Sequence, residues 1–314
     1  MKDSIHFELV KLADGVHAAL HREGGAASSN SGILDLGDQA LVFDTCETVC
    51  AADDLRAAVI ELTGRPARWV VNSHAHGDHW TGNQVFEVAT VIATRPTRDG
   101  MAGELDEIRA LQRDLDSIRR EIAEQQEQLE AETDPLRRAG MQGRLSRLRF
   151  TLEDMPRFVP RLPDQTFDGK LALHGSTRIV ELVAAPPAHT PGDAYLLLPD
   201  EGIIFTGDLC FFDQPPYVAA NCDIPNWIDL LDQFQAADYE TFVPGHGAVG
   251  KKANLKREQE YLLAMLELAG RAVKARKTLE QVLALPLPEA FRDWEPFFRR
   301  HQNNLRSLYT KLAA

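Results

Sequence analysis

Four apolar runs in this chain each stop at a Gly- or Pro-rich turn, and each turn carries an imidazole or a carboxylate. RWVVNS (68–73) runs straight into HAHGDHWTGN, which holds His74, His76, Asp78 and His79. RIVELVAA (178–185) ends in PPAHTPGD with His189, GIIFTGDL delivers Asp208, and TFVPGHG delivers His246. Short runs rich in β-branched and aromatic residues, bounded by turn formers, read as strands. Side chains at strand ends can converge on one edge of a sheet, and glycines there let backbone and ligand approach closely. The pattern calls for a sheet-based fold that gathers these four segments at one edge. The remaining histidines, His6, His17, His21, His174 and His301, lack this context and read as surface or internally satisfied residues.

The rest of the chain fits an α/β layout. SGILDL (31–36) and ALVFDT (40–45), separated by GDQ, read as a hairpin. A helix over about 51–62 ends before Gly64 and Pro66. Segment 101–158 differs in character. Ile108, Leu115, Ile122 and Leu129 repeat every seven residues, with Leu111 and Ile118 in a second register, a coiled-coil-like stripe. TDP (133–135) breaks it, with Asp134 as N-cap and Pro135 at the first helical position. Leu136, Leu145, Leu148 and Leu152 then predict a return helix. So apolar a hairpin needs a partner surface. It is expected to be either a lid over a site or the arm of a homodimer. Residues 251–314 read as a helical C-terminal segment, with a capping box at Thr278 and Gln281. The expectation is one domain over 1–314 that carries the helical hairpin as an insertion.

Net charge is −13, from 34 basic and 47 acidic residues, which disfavours a nucleic-acid partner. No run approaches the length of a membrane span. The opening MKDSIHFELVKLADGVH has no apolar core of a secretory signal. Four cysteines give no disulfide framework, and Cys46 and Cys50 lack the second pair of a zinc knuckle. The expected setting is cytoplasmic, with reduced thiols.

Imidazoles and carboxylates suit Zn²⁺, with Fe or Mn as substitutes. Seven such donors exceed what one tetrahedral ion uses, so the count favours two ions.

HAHGDH, AHTPGD, FTGDL and VPGHG in this order, preceded by VFDT with Asp44, resemble the metallo-β-lactamase superfamily from about residue 16 to 250, the hairpin excepted. The resemblance implies a four-layer αββα sandwich with metals at one edge of two sheets. It assigns His74, His76 and His189 to one ion, Asp78, His79 and His246 to a second, and Asp208 to a bridge between them. Asp44 would orient a ligand imidazole. The implied activity is dinuclear hydrolysis by a metal-bound hydroxide, with Asp78 accepting or orienting its proton. Lactamases proper usually carry Cys or Ser where Asp208 stands. Asp208 instead resembles the glyoxalase II, lactonase and phosphodiesterase type, so the expected substrate is a small-molecule ester, thioester, lactone or amide. Two other readings stay open: a mononuclear non-haem iron dioxygenase of the same superfamily, and a metal-stabilised scaffold or sensor without catalysis. Trp80, and Phe211, Phe212 and Tyr217 of CFFDQPPYVAANCD, are the candidate pocket walls. Thr190 and Asp193 are expected to shape the turn at His189. Lys251, Lys252, Lys256 and Arg257 give the tail a basic stretch like that of a glutathione-binding domain, although the hairpin departs from glyoxalase II.

Overall fold

The computed structural model describes residues 4–313 and contains two facing sheets. The first sheet takes β1 (Phe7–Ala13), β2 (Val16–His21), β3 (Ser31–Asp35), β4 (Ala40–Phe43), β5 (Ala67–Val71), β6 (Thr90–Thr94) and β7 (Gln165–Phe167), in sequence order. The second takes β8 (Lys170–His174), β9 (Ile179–Ala184), β10 (Ala194–Leu198), β11 (Ile203–Phe211) and β12 (Thr241–His246), again neighbour by neighbour. The helices are α1 (Val49–Thr63), α2 (Arg95–Arg113), α3 (Leu115–Ala131), α4 (Pro135–Asp154), α5 (Ile224–Ala236), α6 (Lys252–Lys274), α7 (Leu279–Leu283) and α8 (Phe298–Ala313).

Side chains alternate across a strand, so a strand that is apolar throughout must be covered on both faces. β4 is such a strand. Leu41 and Phe43 point between the sheets, while Ala40 and Val42 point at Leu55 and Val59 of α1. β11 repeats the logic on the other side. Ile203 and Phe205 face the first sheet, and Ile204 faces Trp227 and Leu231 of α5 and Leu262 of α6. Three apolar interfaces separate four layers, the αββα order. Gly32 of β3 is required by this packing, because a Cβ there would lie 2.8 Å from the Phe205 ring.

The helical insertion is present, but it opens at Arg95 rather than 101, where Thr94 accepts a bond from Thr97 N–H. Its first arm is two helices that meet at Asp114, whose backbone leaves the helical region (φ −124°, ψ 70°). Asp134 caps α4, accepting from Leu136 N–H at 2.8 Å and Arg137 N–H at 3.1 Å. Ile118, Leu129 and Leu145 are buried. This chain itself supplies part of the partner surface. Arg137 Nε donates to Glu295 Oε1 at 2.9 Å, and Ser146 Oγ donates to Gly24 O at 2.7 Å. Gly140 lies against the Pro296 carbonyl so closely that a Cβ would collide with it. The hairpin therefore spans from the turn after β2 to the segment before α8. Among the described residues, no helix is long and apolar enough to cross a membrane.

Phe205 is 1 % exposed and fills the space between the sheets. Phe205→Ala is expected to lower unfolding free energy by about 3–5 kcal/mol, as for large aromatic truncations in a core. A drop in the urea midpoint at unchanged m-value measures it.

Candidate metal centre

The donor residues all reach one edge of the sandwich. The loop after β5 carries His74, His76, Asp78 and His79, the last two within a 3₁₀ turn, Gly77–His79. The turn after β9 carries His189, β11 carries Asp208, and β12 ends at His246. Asp208 faces the site because β11 is irregular. Its register against β12 shifts on either side of Gly207, whose φ is +53°. Such a bulge re-aims the following side chain. A Cβ at Gly207 would strike Ser73, and one at Gly245 would strike Asp208 Oδ1.

Two clusters result. His74 Nε2 and His189 Nε2 each lie 3.0 Å from His76 Nδ1. Tetrahedral ligands at the usual Zn–N distance of about 2.0–2.1 Å lie roughly 3.3 Å apart, so one ion suits these three nitrogens. In the second cluster His246 Nε2 is 3.4 Å from Asp78 Oδ2, and His79 Nε2 is 3.8 Å from it. Asp208 divides its oxygens between the two. Oδ1 lies 3.1 Å from His79 Nε2 and 3.4 Å from His246 Nε2, whereas Oδ2 lies 3.5 Å from His189 Nε2 and 3.7 Å from His74 Nε2. Within each group, one ligand atom from every residue falls inside 4.8 Å of the others.

Buried polar atoms normally have partners. Here His79 Nε2 and Asp208 Oδ1 are buried without a hydrogen bond. Donors crowded around a common point, with orphaned lone pairs, fit a bound cation.

Asp44 organises the ring orientations. It is fully buried and holds a positive φ of 59°, a conformation Asp tolerates better than most residues. Its Oδ1 accepts Ser73 N–H at 2.7 Å. Its Oδ2 accepts Ser73 Oγ–H at 2.7 Å and His79 Nδ1–H at 2.8 Å. Ser73 Oγ is then free to accept His74 Nδ1–H, 2.9 Å away. One carboxylate thereby fixes two tautomers, each leaving its Nε2 lone pair pointing at the clusters. Asn72 and Asn83 brace the loop by paired amide bonds of 2.9 and 3.0 Å. His189 is oriented differently. Its Nδ1 has no partner, and Trp227 and Phe211 hold the ring from 5.1 and 5.7 Å. The Asp193 carboxylate accepts Thr190 N–H at 2.8 Å and so shapes the turn before it.

The electrostatics suit cation binding. Burial, reinforced by His79, pushes His74 well below the usual imidazole range. Burial together with His76 brings His189 down to about 3, so its ring is neutral at physiological pH. Burial alone would raise Asp208, but His246, His79 and His74 outweigh it and hold the carboxyl well below its usual range. Burial alone would lower His79, but Asp208, Asp78 and Asp44 raise it well above, a carboxylate field that a metal cation answers in place of the Nε2 proton.

A cavity of about 890 Å³ opens onto both clusters, with His76, Asp78, Asp208 and His246 in its wall. Phe211 and Tyr217 line it. Phe211 stacks on His246 at 4.9 Å, and Tyr217 turns its edge to His76 at 5.7 Å. Two expected wall residues are elsewhere. Trp80 is wholly buried with Val49, Met101 and Phe158, its Nε1 donating to Ala75 O, so it props the loop from behind. Phe212 is buried, does not line the cavity, and packs over Gly250. The basic stretch of α6 also stays outside: Arg257 pairs with Asp293 and Lys252 with Glu240.

His21, read from sequence as a bystander, belongs to the site. It lines the cavity, its ring lies 5.7 Å from His246, and burial followed by the His246 charge brings it to about 3. It ends β2 just before a glycine turn, the same signature as the ligands. The hairpin and C-terminal segment supply the facing wall through residues such as Gln125, Arg147 and Arg300. The insertion is thus a roof over the site.

Asp44→Asn is expected to weaken metal affinity by about 10–100-fold, the usual effect of losing a carboxylate that orients a ligand imidazole. Ser73→Ala, which disturbs His74 alone among the ligand rings, should cost less. Chelator competition measures both, and equal losses would contradict the hub role of Asp44.

A family model described as "Metallo-beta-lactamase superfamily" matches residues 24–246. Among solved structures, a metallo-beta-lactamase from Pontibacter korlensis aligns with a TM-score of 0.60 at 16 % identity, covering 82 % of this chain and 99 % of its own. One from Erythrobacter litoralis gives 0.57 at 16 %, covering 83 % and 98 %. A double mutant of the sec-alkyl sulfatase PisA1 gives 0.66 at 15 %, covering 97 % of this chain, which spans half of the sulfatase. No curated protein matches the chain. The family match over most of the chain, the αββα sandwich and the two His/Asp clusters agree: the chain belongs to the metallo-beta-lactamase superfamily and is a metallohydrolase of that fold.

Proposed function

We propose that this metallohydrolase works with two divalent cations, Zn²⁺ as the first candidate, on a small-molecule ester, thioester, lactone or amide. The supporting observation is Asp208, whose two oxygens face different clusters. His74, His76 and His189 would hold one ion and Asp78, His79 and His246 the other. Bound cations would supply Lewis acidity and acidify a water between them. The chain's own residues do the rest. Asp78, partly open to the cavity, would accept or orient a proton. Tyr217, exposed at the cavity, offers an aromatic surface to an organic substrate, while Phe211 is buried and stacked on His246. A single-ion dioxygenase would leave the second cluster without a task, and a scaffold would not need a cavity above the donors.

A second reading adds sulfate esters to the substrate class. The alkyl sulfatase alignment extends over 97 % of this chain, against 82–83 % for the two lactamases.

Metal analysis of the purified chain should give two Zn per chain. A panel of esters, thioesters, lactones, amides and alkyl sulfates should show EDTA-sensitive turnover on at least one. One Fe per chain with oxygen consumption would overturn the hydrolytic reading. Asp78→Ala should keep one ion, unfold at a similar urea midpoint, and lose about 10²–10⁴-fold in turnover. Full activity in that variant would remove Asp78 from the mechanism.

A further inference from the structure

Six arginines line the cavity: Arg22, Arg137, Arg144, Arg147, Arg299 and Arg300. Apart from the donors Asp78 and Asp208, its carboxylates are Glu23 and Glu132. A chain of net charge −13 has thus collected cations in one place. Clefts lined by one sign of charge concentrate ligands of the other.

Some of these charges are already spoken for. Arg137 pairs with Glu295, Arg144 with Glu121 at 2.7 Å, and Arg147 with Glu47 at 3.6 Å. Arg22 and Arg299 have no carboxylate partner among the described residues but are exposed, whereas Arg300 is partly buried. Its Nη1 donates to Gln214 Oε1 at 2.6 Å and to Pro215 O at 3.3 Å, both neutral acceptors. Among the described residues no carboxylate lies within ion-pair distance of it. Burial lowers its pKa, partly offset by Asp208 and furthered by Arg147, so it sits inside the field of the metal edge. Its guanidinium lies 5.5 Å from the Phe211 ring, which itself stacks on His246. It also stands in the first turn of α8, where the helix dipole disfavours a cation. A partly buried guanidinium with no carboxylate partner, set against a helix dipole, is stabilised when an anion joins it. The residue lies outside the 24–246 stretch matched by the family model.

We propose that Arg300 is an oxyanion-recognition residue: the substrate carries a carboxylate, sulfate or phosphate group that lands on this guanidinium while its scissile bond lies over the two clusters. A planar guanidinium suits two oxygens of such a group at once. The assignment rests on the hydrolase reading for the word substrate, but the anion site can be tested without turnover.

The test is calorimetric titration of the metal-loaded protein with inorganic sulfate, inorganic phosphate and glutarate. At least one should bind, and the tightest identifies which anion class the site takes. Arg300→Gln should weaken that binding tenfold or more, whereas the donor variant His76→Ala should retain it. Gln214→Glu, which supplies Arg300 with a carboxylate in place, should mimic Arg300→Gln and decides the matter if that variant does not fold. No binding of any probe, or equal binding by wild type and both altered proteins, overturns the inference. So does loss in His76→Ala alone, which would put the anion on the metals. Arg300-dependent binding with no turnover on the panel keeps this inference and sinks the hydrolase reading. Turnover with Arg300-independent binding does the reverse.

Discussion

The Asp44 carboxylate holds two strands' worth of chemistry together. It lies at the end of β4, is wholly buried, and receives a backbone N–H, a hydroxyl and an imidazole from the next strand and its loop. Such a charge would be expensive in an apolar interior without those bonds. With them it locks the β4 and β5 ends into one unit and sets which nitrogen of His74 and His79 carries a proton. The second sheet is attached to the same unit: Ser73 O accepts Ala194 N–H at 2.7 Å. The metal edge is thus where the two sheets are stitched, and the geometry of the donors is a property of the sandwich as a whole.

The sandwich and its donors were legible in the sequence because their signals are local. A strand that stops at a glycine turn announces itself, and a histidine in that turn can hardly point elsewhere. The same rule also picks out His21 of HREGG, although that residue reads as lacking the strand-end context of the others. Trp80 and Phe212 show the opposite failure. Both adjoin residues that line the cavity or hold the donors, yet Phe212 packs into the core over Gly250 and Trp80 closes behind its loop. Nearness in sequence is a poor guide where side chains alternate.

The cationic wall was not legible at all. A net charge of −13 averages over the surface and hides where the arginines go. Arg147 and Arg300 come from helices separated by more than a hundred residues, and only the docking of α4 onto the C-terminal segment brings both to one cavity. The heptad stripe foretold that the hairpin needed a partner, but nothing in its spacing said that the partner was the far end of the same chain.

That docking has a geometric consequence at Gly140. With the Pro296 carbonyl where a Cβ would be, the roof meets the C-terminal segment main chain to main chain. The separation of the two is therefore set by peptide backbones, which have no rotamers to exchange. Side chains can alter the cavity's polarity and its contour, but the spacing of roof and C-terminal segment at this joint is set by the main chain.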